Sequence, residues 1–316
     1  MVVAATRPLR AAYQVFNRAH KALQRQRAAR NVNASRQVDY IRDEIAVRSM
    51  ERLAFINRKF PVVYDLGAGS GSLEKALALD CEESTVARSK FGKIVMVDPC
   101  EEMLYRDKDL DFNRKLDLER VVADEETFFS GPESADAILS NMSMHWINDL
   151  PGQLRRFEAM LKPDGLLFAN MLGGDSLFEL RTSLQLSEME RYGRVAPRMS
   201  PLADVRDMGS LMQQAKFNLL TIDVDDIVVS YPDMFALLED IKSMGDGNAI
   251  VTRPEMIRRE HLVAANAIYN EMHGNPDGSI PATFRVIYMI GWKKADDQPK
   301  PLERGSADVS FKDILG

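Results

Sequence analysis

The first half of the chain alternates between a helical and a strand-like spacing of apolar residues. The helical spacing predicts an amphipathic helix over about residues 36–58 and is carried by Val38, Ile41, Ile45, Leu53 and Ile56. Short apolar runs predict buried strands at residues 62–66, 93–98, 120–123, 136–140 and 166–172. Helical stretches lie between most of these runs, and this alternation predicts a parallel sheet that helices cover on both faces.

The pattern changes after Leu172. Residues 174–216 and 232–272 have helical patterns, whereas residues 221–229 and 283–292 have strand patterns. Two late strands separated by about fifty residues predict an antiparallel pair at the edge of the sheet, with a helical insertion between them. We therefore expect an α/β fold with a doubly wound, mostly parallel sheet, an antiparallel edge strand, N-terminal helices and a helical insertion before the last strand.

Composition and charge narrow the class of protein. The chain has 316 residues, of which 45% are hydrophobic and 28% are charged, as in globular proteins. No apolar run approaches the ~20 residues of a membrane-spanning helix. Two cysteines, Cys81 and Cys100, are too few for a disulfide framework or a cysteine-based zinc site. We interpret both as structural thiols in a reducing compartment.

Charge is distributed unevenly between the N-terminus and the rest of the chain. Residues 1–38 contain eight Lys or Arg and no acid, which leaves 33 basic against 47 acidic residues elsewhere. An acidic body argues against nucleic acid as a partner. The Arg-rich, acid-free segment 1–35 is typical of a mitochondrial transit peptide, although it is poor in Ser. An ordinary basic helix is the alternative, and both interpretations hold if the mature chain starts near Tyr13.

A glycine-rich turn after the first predicted strand is the strongest local signal. Asp65 ends the strand, and Gly67, Ala68, Gly69 and Gly71 follow it. Glycines allow a sharp turn and the close approach of a ligand to the backbone. Ser72 stands where a dinucleotide motif would have its third glycine, and the turn contains no basic residue. A ligand without phosphates is therefore favoured.

Carboxylates also end the next two predicted strands. Asp98 is placed to bind a ribose diol, and Asp124 with Glu125 to recognise an adenine amino group. Three such strand ends together with the glycine turn predict an S-adenosylmethionine pocket. The alternative is a doubly wound sheet that binds another nucleotide.

Further residues complete the set of site candidates. Pro99 follows Asp98, Asn141 follows the fourth strand, Met103 would flank the adenine ring, and Tyr40 would cover the methionine end of the cofactor. The catalytic candidates are His145, Trp146 and Arg206. His145 and Trp146 lie just past the fourth strand, at the edge where doubly wound sheets bind ligands, although a structural role is equally expected there.

Two levels of resemblance follow from these motifs. Residues 65–71, 97–99 and 136–141 resemble the class I S-adenosylmethionine-dependent methyltransferase superfamily. Outside the cofactor pocket, the chain resembles the mitochondrial complex I assembly factor 5 family. The segments that carry this second resemblance are residues 140–151, 172–181, 200–207, 231–233, 244–249 and 280–284. It covers about residues 13–316, and the bacterial malonyl-carrier-protein methyltransferases are more distant relatives.

The resemblance implies both an activity and a place in the cell. The family is associated with hydroxylation of an arginine on the iron–sulfur subunit near the quinone site of complex I. The implied partners are that subunit and other assembly factors, in the mitochondrial matrix, with peripheral contact to the inner membrane at most. The expected organisation begins with a basic arm (1–35) and a Rossmann-like core that binds S-adenosylmethionine (36–172). Residues 173–294 form the rest of the core and include a helical substrate lid over about 231–281. Residues 295–316 form a polar tail.

The residues themselves leave the chemistry open. None of the four histidines has an acid two positions later, so the sequence lacks the His-x-Asp/Glu motif that is usual for a two-His, one-carboxylate iron site. We therefore predict no metal site. An O-methyltransferase acting on a carboxyl or carrier-linked substrate is one alternative, because methyl transfer depends mainly on positioning. A chaperone that binds the cofactor without catalysis is another.

Overall fold

The computed structural model describes residues 14–254 and 256–299. Three helices precede the sheet: α1 (Arg18–Arg30), α2 (Val32–Gln37) and α3 (Tyr40–Ala54). The helix predicted over 36–58 is therefore two helices that meet at Val38 and Asp39. Asp39 accepts hydrogen bonds from Arg106, which lies 67 residues away, so a tertiary ion pair accompanies a break that the apolar spacing does not reveal.

One seven-stranded sheet forms the centre of the molecule. Its strands are β1 (Phe60–Leu66), β2 (Phe91–Asp98), β3 (Leu118–Val122), β4 (Ala135–Asn141), β5 (Leu161–Leu172), β6 (Phe217–Tyr231) and β7 (Ile280–Lys293). The spatial order is β3-β2-β1-β4-β5-β7-β6. The first five strands are parallel, whereas β7 runs antiparallel to both β5 and β6. The predicted doubly wound sheet with an antiparallel edge pair is confirmed.

Helices cover the two faces of this sheet. They are α4 (Ser72–Leu77), α5 (Glu82–Arg88), α6 (Glu101–Leu104), α7 (Phe112–Lys115), α8 (Leu150–Met160), α9 (Phe178–Tyr192), α10 (Val205–Gln214), α11 (Met234–Met244) and α12 (Arg259–His273), with a 3₁₀ turn at Met144–Trp146. Apolar residues of α3, α9, α11 and α12 share one core. Residues of α8 and α10 share the other.

Both long helical stretches predicted after residue 172 are shorter in the structure. Gly193 ends α9 with φ of +62°, and Gly245 ends α11 with φ of +75°. Glycine adopts this left-handed conformation without the steric cost that a Cβ adds, so it terminates helices. The segments 193–204 and 245–254 are mainly irregular, and their polar residues Arg198, Ser200, Asp246 and Asn248 line a cavity.

The N-terminal region is integrated into the domain from its first described residues. Phe16 pairs with Ile250 in an isolated β-bridge. Ala28 and Ala29 of α1 pack against Cys100 and Met103. The start of the predicted arm, residues 1–13, and residues 300–316 of the predicted tail lie outside the described residues. Within the described chain, no helix is both long and apolar enough to cross a bilayer.

Candidate cofactor and substrate site

The glycine turn has a backbone that side chains would not permit. Gly67, Gly69 and Gly71 have φ of +79°, +59° and +87°. A Cβ on Gly67 would lie 2.1 Å from Ser143 Oγ, so this residue has no room for a side chain. The Gly67 and Ala68 amides donate hydrogen bonds to the Val97 carbonyl, which ties the turn to the end of β2.

A buried pair of carboxyl groups lies behind the turn. Asp65 at the end of β1 and Glu74 in α4 are both 0% exposed. Burial raises the pKa of Glu74 to about 7. Burial, followed by the neighbouring Glu74, raises the pKa of Asp65 well above its ordinary value. Neither carboxyl has a donor among the described residues, so we infer that a proton lies between them.

Asp98 at the end of β2 is fully buried and accepts three hydrogen bonds. Two come from the Gly69 and Cys100 amides, at 2.9 and 2.8 Å. The third comes from Arg25 Nη2 of α1, at 2.8 Å. Arg25 is itself 8% exposed. The carboxylate that the sequence assigns to a ribose diol is thus paired with an arginine of the N-terminal helix.

The next carboxylates along the sheet edge are paired in the same way. Arg18 Nη2 donates to Asp124 Oδ1 at 2.7 Å and to Glu125 Oε1 at 2.8 Å. Glu125 is buried, and burial raises its pKa despite the opposing charge of Arg18. Within the described chain, Glu125 Oε2 has no hydrogen-bond partner. One acceptor therefore stays open beside the pair.

Lys21 lies between these two arginines on the same face of α1. Its Nζ is 3.2 Å from the centroid of the Trp146 ring and donates to the Gly245 and Gly247 carbonyls at 3.1 and 3.0 Å. Burial lowers the Lys21 pKa to about 7. Positions i, i+3 and i+7 share one helix face, so α1 presents Arg18 and Arg25 to the strand-end carboxylates and Lys21 to Trp146 and the 245–247 segment between them.

A cavity of about 520 Å³ opens beside this filled region. Its apolar wall includes Leu172, Leu180, Leu184, Leu238, Ile241 and Phe284. Met142 and Leu177 also line it, with φ of +55° and +52°. Bulky residues held in the left-handed region store strain that is typical of functional sites.

The polar side of the cavity contains Arg42, His145 and Asp246. Arg42 Nη2 donates to Asp246 Oδ2 at 2.8 Å, whereas Asp246 Oδ1 is buried and has no hydrogen-bond partner in the described chain. Burial lowers the His145 pKa to about 3, so its imidazole is neutral at physiological pH. The cavity therefore combines an apolar wall with a carboxylate that has an open acceptor atom.

The structure brings some of the predicted site residues together and separates others. His145 and Trp146 line the cavity, and Met103 packs with Cys100 beneath Ala28 and Ala29 of α1. Asn141 donates to the Arg42 carbonyl at 3.4 Å.

Tyr40 and Arg206 do not join that group. The Tyr40 hydroxyl donates to Asp240 at 2.8 Å and contacts Tyr231, so it points toward α11 and β6 rather than toward the glycine turn. Arg206 is exposed on α10, whose apolar residues pack in the core on the other face of the sheet.

Sequence reasoning missed Arg18, Lys21 and Arg25 as parts of the site. Their helical spacing was a usable signal, but it does not reveal which surface the cationic face covers. The partner of Arg42 left no local signal, because Asp246 is 204 residues away. Glu74 lies only nine residues after Asp65, but the sequence does not show that the two carboxyl groups face each other. In residues 14–254 and 256–299, no group of three or more His, Cys, Asp or Glu is placed to hold a metal ion.

The site's chemistry fits S-adenosylmethionine. The three glycines of the 67–71 turn leave its backbone open to close approach, and carboxylates end three adjacent strands. The turn itself contributes no basic residue for a phosphate, and the nearest cation, Arg25, is paired with Asp98. With the strand order, these features define a class I S-adenosylmethionine-dependent methyltransferase fold. A family described as a methyltransferase domain matches residues 38–222, which confirms the predicted cofactor.

Comparison with curated proteins identifies a narrower family. The chain is 42% identical over 300 residues to "Arginine-hydroxylase NDUFAF5, mitochondrial" of Danio rerio, covering 95% of this chain and 89% of the relative. It is 40% identical to the protein of that name from Homo sapiens, covering 95% and 83%. This chain belongs to the mitochondrial arginine-hydroxylase family, as the sequence resemblance predicts.

More distant matches agree on the fold. "Malonyl-[acyl-carrier protein] O-methyltransferase" of Methylovorus sp. (strain MP688) is 30% identical, covering 79% of this chain and 81% of the relative. A putative methyltransferase from Bacillus halodurans has a TM-score of 0.55 at 15% identity, covering 79% of this chain and 99% of that one. The YcgJ protein of Bacillus subtilis has a TM-score of 0.54 at 13% identity, covering 80% and 99%.

Proposed function

We propose that this protein hydroxylates an arginine of a client protein in mitochondria, as a step in the assembly of respiratory complex I. The observation that carries the proposal is the match to curated arginine hydroxylases over 95% of the chain. The proposed client is the iron–sulfur subunit near the quinone site, met in the matrix together with other assembly factors. Contact with the inner membrane is peripheral at most.

The proposed cofactor contacts follow from the strand ends. Asp98 accepts the ribose hydroxyls, Glu125 and Asp124 accept the adenine amino group, and Met103 and Pro99 flank the ring. Asp65, the Gly67–Gly71 turn with Ala68, and Asn141 border the methionine portion. When bound, S-adenosylmethionine supplies a methyl group activated by a sulfonium.

The proposed client site is the cavity next to the glycine turn. A guanidinium group carries five N–H donors and is always charged, so it needs a carboxylate when it enters a buried site. Asp246 is the acid among the described cavity-lining residues, and its Oδ1 has no hydrogen-bond partner there. We assign Asp246 to the client guanidinium. Neutral His145 is placed to accept a hydrogen bond from it, and Trp146 closes the wall of the cavity.

Peptide mass spectrometry of the client subunit, with and without this protein, tests the proposal. We expect one arginine to carry the mass of an added oxygen atom and to lose it on deletion. Re-expression of the full chain restores the modification. An unmodified arginine in both strains would contradict the hydroxylase assignment. With assembly still impaired, that result would favour a chaperone.

A second candidate is a carboxyl O-methyltransferase acting on a free or carrier-linked substrate. The similarity to malonyl-carrier-protein methyltransferases favours it, and Arg42, Arg198 and Lys242 among the cavity-lining residues suit an anionic substrate. The same mass measurement separates the two candidates, since methylation adds a methyl mass instead of an oxygen. Labelled S-adenosylmethionine in an extract would then identify the acceptor.

A further inference from the structure

We propose that α1 is an internal competitor of the cofactor: its cations occupy the carboxylates of the adenosine site, and cofactor binding displaces them. This inference rests on the proposed roles of Asp98, Asp124 and Glu125. It concerns the N-terminal helix, Arg18–Arg30, which lies outside the segment that matches the methyltransferase domain.

Arg25 occupies the place proposed for the ribose. Its Nη2 lies 2.8 Å from Asp98 Oδ2, and it is 3.3 Å from the position that a Cβ on Gly69 would take. A carboxylate has about four lone-pair sites, and the Gly69 and Cys100 amides already use two of the Asp98 sites. A ribose diol needs two acceptor sites in the space above the turn. Arg25 must therefore leave before both hydroxyls can bind.

Arg18 occupies the adenine end in the same way. One nitrogen, Nη2, bridges Asp124 Oδ1 and Glu125 Oε1 and takes two of the acceptors that would recognise an amino group, while Glu125 Oε2 stays without a donor in the described chain. Next to it, Ala28 and Ala29 cover Cys100 and Met103, which are 4% and 2% exposed. An adenine ring cannot contact Met103 while α1 lies on it. Both ends of the adenosine site are thus filled by one helix.

The contacts of α1 with the adenosine carboxylates are ones that a ligand can replace, whereas Lys21 and Phe16 hold the start of the helix to Gly245, Gly247 and Ile250. Its buried residues are two cations and two alanines, namely Lys21, Arg25, Ala28 and Ala29. Alanine buries little apolar area, so the hydrophobic contribution to docking is small. From Arg25 onward, docking then depends mainly on the charge pair with Asp98 and on two alanines, and a segment with few apolar contacts opens at low free-energy cost. Competition of this kind lowers the apparent cofactor affinity by the fraction of molecules with α1 displaced.

Calorimetric titration of the full chain with S-adenosylhomocysteine tests the inference. We expect the double variant Arg18→Ala/Arg25→Ala to bind about tenfold more tightly than the wild type, because the competing cations are gone. Arg27→Ala is the matched control, since Arg27 lies on the exposed face of the same helix. Its affinity stays at the wild-type value. Equal or weaker binding by the double variant would overturn the inference.

Hydrogen exchange on the wild-type protein gives an independent readout if the double variant does not fold. At saturating S-adenosylhomocysteine, amides of residues 18–30 should exchange faster while those of the glycine turn exchange more slowly. Unchanged or greater protection of α1 in the bound protein would show that α1 covers the cofactor rather than competing with it. Failure of the wild type and the variant to bind any S-adenosylhomocysteine would instead refute the cofactor assignment, and the inference with it.

Discussion

The two neighbouring parts of the pocket differ in how their polar groups are satisfied. In the adenosine part, Asp98 and Asp124 are paired with cations of α1, and little space remains. In the cavity, the wall is apolar and Asp246 Oδ1 accepts no hydrogen bond from the described residues, with Lys21 Nζ 3.9 Å away. A buried acceptor without a donor is costly, so its presence points to a ligand from outside the chain. The adenosine part also has an open acceptor, Glu125 Oε2, but a cation of α1 occupies Asp98 where the ribose is proposed to bind, and this points to competition.

The largest effect is expected from Asp246→Asn. The amide cannot pair ionically with a guanidinium, so we expect arginine hydroxylation to fall about 100-fold, which corresponds to about 2.7 kcal/mol. Binding of S-adenosylhomocysteine stays near the wild-type value. Asp109→Asn, at an exposed position that does not line the cavity, serves as the control. Hydroxylation is measured by peptide mass spectrometry. If the Asp246 variant hydroxylates its client at the wild-type level, the proposal that the client arginine binds in this cavity is wrong.

Asp98→Asn probes the other part of the pocket. A hydrogen bond to a charged group contributes about 1.5–3 kcal/mol, so cofactor affinity should fall roughly 10- to 100-fold by calorimetry. The variant also leaves Arg25 as a buried cation without its carboxylate, which lowers the melting temperature. The exposed Asp111→Asn is the matched control. Unaltered affinity would contradict the ribose assignment of Asp98.

Glu74→Gln tests the carboxyl pair behind the glycine turn. Because the Glu74 pKa is raised to about 7, the folded state holds a proton more tightly than the unfolded state does. Its stabilisation is complete below the unfolded pKa and is lost as pH rises to about 7, by up to about 3 kcal/mol. Urea unfolding at a series of pH values between 5 and 8 measures the free energy of unfolding. We expect the Glu74 variant to show a smaller decrease of this free energy with rising pH than the wild type. Exposed Glu82→Gln should retain the wild-type slope.

Tyr40→Phe should have the smallest effect. Its hydroxyl donates to the half-exposed Asp240 carboxylate, so removing it costs about 1.5 kcal/mol of unfolding free energy, the lower end for a hydrogen bond to a charged group. Cofactor affinity should be unchanged, because that hydroxyl points away from the glycine turn. The chemical denaturation midpoint and the S-adenosylhomocysteine affinity measure the two expectations separately. A large loss of S-adenosylhomocysteine affinity would instead support the prediction that Tyr40 covers the methionine end of the cofactor.

Local patterns identified the sheet more reliably than the helices. Strands β1, β2 and β4 are short apolar runs buried on both faces, so each carries its own signal. The helical stretches after residue 172 were overextended because apolar spacing continues across Gly193 and Gly245. The glycine turn and the acids at the strand ends were also predictable from the sequence. Parallel strands in this order have their carboxyl ends at one edge of the sheet, so these residues are expected to lie close together.

The sequence by itself determined the doubly wound sheet, the glycine turn and the row of carboxylates at the strand ends. These features depend on periodicity and on residues that are close neighbours in the chain. Only the tertiary structure decided that Arg25 pairs with Asp98, Arg18 with Asp124, and Arg42 with Asp246. These partners lie 73, 106 and 204 residues apart. An ion pair needs only opposite charges at short distance, and the chain leaves no local pattern that selects one distant acid over another.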